Sequence, residues 1–160
     1  MSRGEAPPAL IREATLADAS VLAALVTLWG YPADQPTVAR RLSRVTGDAE
    51  AVLVAVVQSE VIGWVHVGLY PSLAADDAAE LRGLVVSAQW QRQGIGRQLM
   101  SAAEAWARQR GCRTMYVRSR TSRHEAHEFY RRLGYRQLKT SFAFERALRS
   151  AQDGSEPWRP

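Results

Sequence analysis

The stretch LVVSAQWQRQGIGR, residues 84–97, reads as the end of a strand, a loop with two glycines and the first turn of a helix. Free N–H groups in a first helical turn and the positive end of the helix dipole attract anions. Gly94 and Gly96 let the backbone approach such a ligand closely. The stretch lacks the Gly-Lys-Ser/Thr of a Walker loop and the three glycines of a dinucleotide fingerprint. It therefore predicts either an anion site or a plain tight turn into a helix.

Outside this stretch, β-branched runs alternate with segments whose apolar residues have helical spacing. Gly111 and Gly134 mark the expected ends of the last two helices. We predict an α/β fold with a single mixed, mostly antiparallel sheet of about seven strands and flanking helices. The predicted strands are residues 10–14, 51–57, 61–69, 79–86, 114–118, 135–138 and 142–148, and the predicted helices are 15–29, 35–46, 96–110 and 122–133.

A chain of 160 residues has room for one domain. We expect a flexible leader at residues 1–8, a single domain at 9–149 and a flexible tail at 150–160. No apolar run reaches the roughly 18 residues of a membrane helix, and the first residues lack the apolar stretch of a secretory signal. The one cysteine, Cys112, allows no internal disulfide. These features predict a soluble, cytoplasmic protein.

Basic charge is concentrated in the second half of the chain. Residues 1–90 carry 6 Lys and Arg against 10 Asp and Glu, whereas residues 91–149 carry 14 against 4. A basic half of this kind binds nucleic acid, an acidic membrane surface or a small polyanion such as a phosphorylated cofactor, and charge alone does not choose among them.

A second group of residues, AHEFYRRLGY at 126–135, spans the last predicted helix and its end. Taken alone, Phe129 is typical of core packing, and Tyr130 matters chemically only if its hydroxyl faces a cleft and can donate a proton. Together with residues 84–97 and the strand that begins at Thr114, this segment resembles the GNAT family of N-acetyltransferases. The resemblance covers about residues 10–148. Within the family, the chain is most similar to small bacterial enzymes near the aminoglycoside 6′-N-acetyltransferases.

The resemblance implies acetyl-CoA as cosubstrate. In the family, backbone N–H groups of the glycine loop hold the CoA pyrophosphate, arginines add positive charge, and the main chain of the preceding strand pairs with the pantetheine. N–H donors aimed at the thioester carbonyl stabilise the developing oxyanion. The implied cofactor-binding residues are Leu84, Val85, Val86, Gln91, Arg92, Gln93, Gly94, Ile95, Gly96, Arg97, Arg123 and Tyr130.

The resemblance also implies direct acetyl transfer to a primary amine. An alkyl amine with a pKa near ~10 is mostly protonated at neutral pH, and only its neutral form attacks a thioester. Glu80 resembles the glutamate that serves as general base on this strand in some members, although a solvated carboxylate at a strand start is the alternative. Tyr130 matches the acid that protonates the departing CoA thiolate. Because the predicted acceptor side is acidic, we expect a cationic small molecule or a peptide amine; its acidic residues are Asp34, Asp76, Asp77 and Glu80.

Arg123 departs from the family pattern, because many members have an asparagine there near the CoA amide. Its guanidinium is instead a candidate contact for a CoA phosphate. His124 and His127 lie three residues apart, but no third ligand is near in sequence, so no metal site is predicted.

Three other side chains have simpler interpretations. Cys112 has no recognisable base beside it, so we predict a buried thiol rather than a nucleophile. Trp64 is typical of a core residue, and both it and His66 could line the acceptor side.

Two other functions fit parts of the sequence. A catalytically inactive acetyl-CoA sensor would keep the cofactor residues without needing Glu80 or Tyr130. A nucleic-acid-binding module would use the Arg-rich second half for phosphate contacts, but no recognised nucleic-acid motif is present. We therefore expect neither a nucleic-acid nor a membrane partner, while the apolar positions of the last predicted strands allow a homodimer.

Overall fold

A computed structural model describes residues 8–45 and 47–148. This part of the chain divides into two compact units that meet in sequence between Ser119 and Arg120, with the sheet in the first and one helix in the second. Apart from Pro8, the predicted leader and tail lie outside the described residues. None of the helices described has the length and apolar character needed to cross a membrane.

The first unit is built on a mixed five-stranded sheet in the order β1-β2-β3-β4-β5. The first three neighbouring pairs are antiparallel, and β4 and β5 are parallel. The α/β class and the mixed, mostly antiparallel sheet are therefore confirmed. The strands are β1 (Leu10–Glu13), β2 (Glu50–Val57), β3 (Glu60–Tyr70), β4 (Ala78–Val86) and β5 (Thr114–Val117).

Helices cover the sheet on both faces. Helices α1 (Ala19–Leu28) and α2 (Gln35–Leu42) bury their apolar sides against Trp64 and its neighbours on one face. Helix α3 (Ile95–Gln109) packs on β2, β3 and β4 with Leu99 fully buried. Successive strand residues point to opposite faces. Gly63, the residue before Trp64, faces Leu99, because a Cβ at Gly63 would lie 3.3 Å from the Leu99 side chain. Helix α3 therefore lies on the other face.

An ion pair determines how the chain enters α1. Asp18, whose side chain is 9% exposed, accepts hydrogen bonds of 2.8 and 2.9 Å from both terminal nitrogens of Arg12 in β1. The same carboxylate accepts from the backbone N–H of Thr15 at the start of the helix. These bonds lower the pKa of Asp18 to about 2, with the Arg12 hydrogen bond as the largest cause.

The second predicted helix is shorter than the sequence pattern suggested. It ends at Leu42 rather than near residue 46, and Ser43 turns the chain by donating its hydroxyl to the Arg40 carbonyl. Thr46 itself lies outside the described residues.

The second unit contains helix α4 (His124–Arg132), which ends at Gly134 as predicted. The two strands predicted at 135–138 and 142–148 are wrong, because the structure has no strand between 135 and 148. The alternation of Phe142 and Phe144 with smaller residues is typical of a strand, but a strand also needs a hydrogen-bonded neighbour. These two side chains are 91% and 94% exposed instead. The described sheet thus has five strands, not about seven.

Candidate active site

The parallel pairing of β4 with β5 ends before β4 does. The paired positions run from Ala78 opposite Thr114 to Leu81 opposite Val117, and β4 then continues to Val86. From residue 82 onward, this side of β4 has no strand partner within 8–45 and 47–148. Backbone N–H and C=O groups along such an edge can pair with an extended ligand. The predicted residues Leu84, Val85 and Val86 all belong to this open part of β4.

The loop after β4 is held by its own side-chain amides. Gln91 donates to the carbonyl of Val86 at 3.0 Å, and Gln93 donates to the carbonyl of Gln89 at 2.7 Å. Gly94 has φ +85°, a left-handed conformation that costs a residue with a Cβ about 1–2 kcal/mol. The predicted loop is therefore an ordered turn that leads directly into α3.

The start of α3 presents free donors. Its first intrahelical bond is donated by Gln98 to the Gly94 carbonyl at 3.1 Å. The N–H groups of Ile95, Gly96 and Arg97 precede that bond and have no carbonyl one turn back to bind. Together with the helix dipole, they make this terminus favourable for an anion.

Glu80 lies in the paired part of β4, just before the two strands separate. Its side chain is 14% exposed, and Oε1 is 3.1 Å from Nε of Arg118, which follows β5. Arg118 in turn donates to the hydroxyl of Tyr70 at 3.3 Å. The ion pair orients the carboxylate at the beginning of the open edge.

A second group of charges lies on the same face of the sheet. Glu50 from β2 accepts from Nε2 of His66 in β3 at 2.9 Å and forms an ion pair with Arg82 of β4. Gly68 leaves space for the Arg82 guanidinium, because a Cβ at Gly68 would lie 2.7 Å from the guanidinium carbon. Gly68 is directly opposite both Glu50 and Glu80, and directly opposed residues share a face.

The sequence model of the Acetyltransferase (GNAT) family matches residues 19–135. The chain belongs to the GNAT acetyltransferase family. It is 33% identical over 145 residues to the aminoglycoside N(6′)-acetyltransferase type 1 of Stenotrophomonas maltophilia, with 86% of this chain and 93% of that protein covered. This GNAT chain is therefore an acetyl-CoA-dependent N-acetyltransferase that acts on an amine.

Solved structures agree on the fold. AAC(6′)-Iy in complex with a CoA bisubstrate analogue superposes with a TM-score of 0.78 at 17% identity, covering 89% of the GNAT chain and all of the other. A transcriptional regulator from Bacillus halodurans C-125 gives a TM-score of 0.77 at 22% identity, with 86% and 99% covered.

Two predicted site residues of this acetyltransferase, Arg123 and Tyr130, belong to the second unit. Tyr130 lies on α4, where its ring packs edge-on against Phe129 and Tyr135 at centroid distances of 5.3 and 5.9 Å. Burial raises the pKa of the Tyr130 phenol, so the hydroxyl is protonated at neutral pH. Arg123 is exposed and directly precedes α4.

The prediction that Cys112 is buried is confirmed. Cys112 is 7% exposed, and that burial is the largest cause of a raised thiol pKa. A protonated, buried thiol is a poor nucleophile, which agrees with transfer without an acetyl-enzyme. The rings of His124 and His127 are 5.9 Å apart, and no group of three possible metal ligands occurs among the residues described.

Sequence reasoning did not find Glu50 or Arg82 as partners of His66. Each is an ordinary charged residue at a strand position, and the three are 16 residues or more apart in the chain. The only available signal was that His66 is the one polar residue in the apolar run 61–69.

Proposed function

We propose that this acetyltransferase transfers the acetyl group directly to the primary amine of a small cationic molecule or a peptide. One arrangement carries the proposal: the open edge of β4 begins beside the Glu80 carboxylate and leads to the N-terminus of α3. A thioester lying along this edge would have its reacting end near a base and its phosphates near anion-binding donors.

The cofactor is proposed to bind mainly through backbone groups. The N–H groups of Gly94 to Arg97 would hold the CoA pyrophosphate, and the open edge of β4 would pair with the pantetheine. Charge from Arg92, Arg97 and Arg123 would favour the phosphates. Backbone recognition of this kind depends on the loop conformation more than on its side chains.

Two side chains are proposed to move protons. Glu80, held by Arg118, would accept a proton from the amine nitrogen directly or through water. Tyr130 would donate its proton to the sulfur as the carbon–sulfur bond breaks, since a protonated thiol is a better leaving group than a thiolate.

The acceptor is proposed to be cationic because the exposed acidic residues of the first unit include Asp34, Asp76 and Asp77. The name of the Stenotrophomonas relative makes aminoglycosides one reasonable class to include among the acceptors. Polyamines and lysine peptides, like aminoglycosides, are cationic and offer a primary amine as the nucleophile.

The decisive experiment is acetyl-CoA-dependent thiol release with a panel of amines. The panel should contain polyamines, aminoglycosides, lysine peptides, and amino acids whose carboxylate lies beside the amine. We expect turnover of cationic amines, with KM rising as salt screens the acidic residues. Equal turnover of neutral or acidic amines would contradict the proposed acceptor, and no turnover with any amine would favour the sensor.

A homodimer remains part of the proposal. Phe142, Phe144 and Leu148 lie within seven residues of one another and are each more than 90% exposed, and exposed apolar surface often marks a contact with another protein. Light scattering of the wild type and of the double variant Phe142→Ser, Phe144→Ser tests it: the wild type should have twice the monomer mass and the variant should not.

A further inference from the structure

The proposed reaction requires the amine nitrogen to lose two protons. A substrate ammonium loses one before attack, and the tetrahedral intermediate loses another before the amide forms. The sulfur receives one proton through Tyr130, so the net reaction releases one proton to solvent. Glu80 is a single carboxylate and holds one proton at a time. A second proton acceptor lies on the same face of the sheet.

We propose that His66, oriented by Glu50, accepts the proton that the substrate ammonium must lose before attack. The inference rests on the proposed function. It does not replace Glu80, which takes the later proton from the tetrahedral intermediate.

The contacts of His66 determine its tautomer. The Glu50 carboxylate only accepts hydrogen bonds, so Nε2 of the ring carries the proton in the 2.9 Å contact. Nδ1 is then the nitrogen with the lone pair. Arg82 forms an ion pair with the same Glu50 oxygen, Oε2, and this second contact helps to fix the carboxylate relative to the ring.

His66 lies one strand in from the open edge, on the side of β4 that pairs with β3. It is directly opposite Gly83, the residue that follows a β-bulge at Arg82, and this is where β4 has separated from β5. Its side chain shares the sheet face of Glu80, because His66 and Gly68 are two residues apart in β3 and Gly68 is opposite Glu80.

The charge state of the ring suits a proton acceptor. Burial lowers the pKa of His66 below its usual value, and Glu50 partly offsets this, so the imidazole is neutral at neutral pH. The charged groups around the ring are Glu50 from β2 and Arg82 from β4, with the pair of Glu80 and Arg118 farther along the same face.

The bond changes balance. The nitrogen–hydrogen bond of the ammonium breaks, its electron pair stays on nitrogen, and the proton moves to Nδ1 of His66. The resulting imidazolium is stabilised by Glu50 and then releases the proton to water. Water reaches this pair, because the His66 and Glu50 side chains are 22% and 31% exposed.

The test is the pH dependence of kcat from about pH 5 to about pH 9, with acetyl-CoA and the best amine of the panel saturating. The proteins are wild type, His66→Gln, Glu50→Gln and a control, Glu104→Gln, which removes a half-buried carboxylate paired with Arg108 on α3. The wild type should lose activity as falling pH protonates His66. His66→Gln should lack this acid limb and be at least about tenfold slower at neutral pH, with unchanged acetyl-CoA affinity.

Glu50→Gln should move the acid limb to lower pH, because Glu50 raises the pKa of His66, and the control should match the wild type. A folded His66→Gln protein that keeps the wild-type rate and acid limb would overturn the inference. If that variant does not fold, an unmoved limb in Glu50→Gln overturns it instead. A wild type that acetylates no amine would contradict the proposed function rather than this inference.

Discussion

Glu80 and Arg118 are joined by an ion pair of 3.1 Å across the last parallel positions of β4 and β5. The pair is asymmetric, since the Glu80 side chain is 14% exposed and that of Arg118 is 70% exposed. Because the Arg118 guanidinium is largely in solvent, the pair contributes only modestly to folding. Its consequence is the orientation of a carboxylate at the point where the two strands separate.

Arg118→Gln separates these two effects. We expect the free energy of unfolding to change by less than about 1 kcal/mol, while kcat falls because the Glu80 carboxylate is no longer held. Urea unfolding and steady-state kinetics measure the two quantities. A large loss of stability with normal kcat would show that the pair has a structural role only.

Glu80→Gln removes the proposed base but keeps the size of the side chain. We expect kcat to fall about 100-fold or more, the usual contribution of a general base, with the Kd for acetyl-CoA unchanged. Calorimetric titration gives the affinity. Glu104→Gln is the matched control, and a Glu80→Gln enzyme as fast as this control would rule out the assignment.

Tyr130→Phe removes the proposed acid. We expect slow turnover with acetyl-CoA, and recovery with an acetyl thioester whose thiol is more acidic, because such a leaving group needs no proton. The ratio of the two rates is the measurement. Equal slowing with both donors would point to a packing role for the ring, which touches Phe129 and Tyr135.

Gly94→Ala tests the loop. Because a Cβ at Gly94 would touch nothing within 4 Å, the cost is conformational, about 1–2 kcal/mol of unfolding free energy. Gly111, at the other end of α3, has φ +79° and equally open surroundings, so Gly111→Ala should cost the same. Only Gly94→Ala should weaken acetyl-CoA binding, by about tenfold. If both variants bind alike, the loop does not hold the cofactor.

Asp18 gives the protein an acid-sensitive contact. Its pKa is lowered to about 2 in the folded state from an ordinary value of 3.8. Its stabilising effect is therefore complete above about pH 4 and is lost as pH falls through about 2. Asp18→Asn should reduce the free energy of unfolding by about 1 kcal/mol at neutral pH, and the difference from wild type should disappear near pH ~2. Glu128→Gln, which breaks an exposed pair with Arg131, should cost less than about 0.5 kcal/mol.

Local patterns predicted most of the fold. Residues 51–57 and 61–69 have the β-branched runs of a hairpin, and the structure joins β2 and β3 through Gln58 and Ser59, both with positive φ. Gly111 and Gly134 end their helices as expected. These features depend on interactions within a few residues, and such interactions can be inferred from a short window of sequence.

The amino-acid sequence by itself determined the existence of the helices, the first five strands, the glycine turn into α3 and the family. Tertiary structure alone decided the rest. The segment 135–148 has the alternation of a strand, yet a strand depends on a hydrogen-bonded neighbour that no local pattern specifies. Likewise, the bulge at Arg82 changes which residues of β4 share a face, and this change brings Arg82 to Glu50 and His66. Long-range pairing and register create that cluster, so no single stretch of the chain contains it.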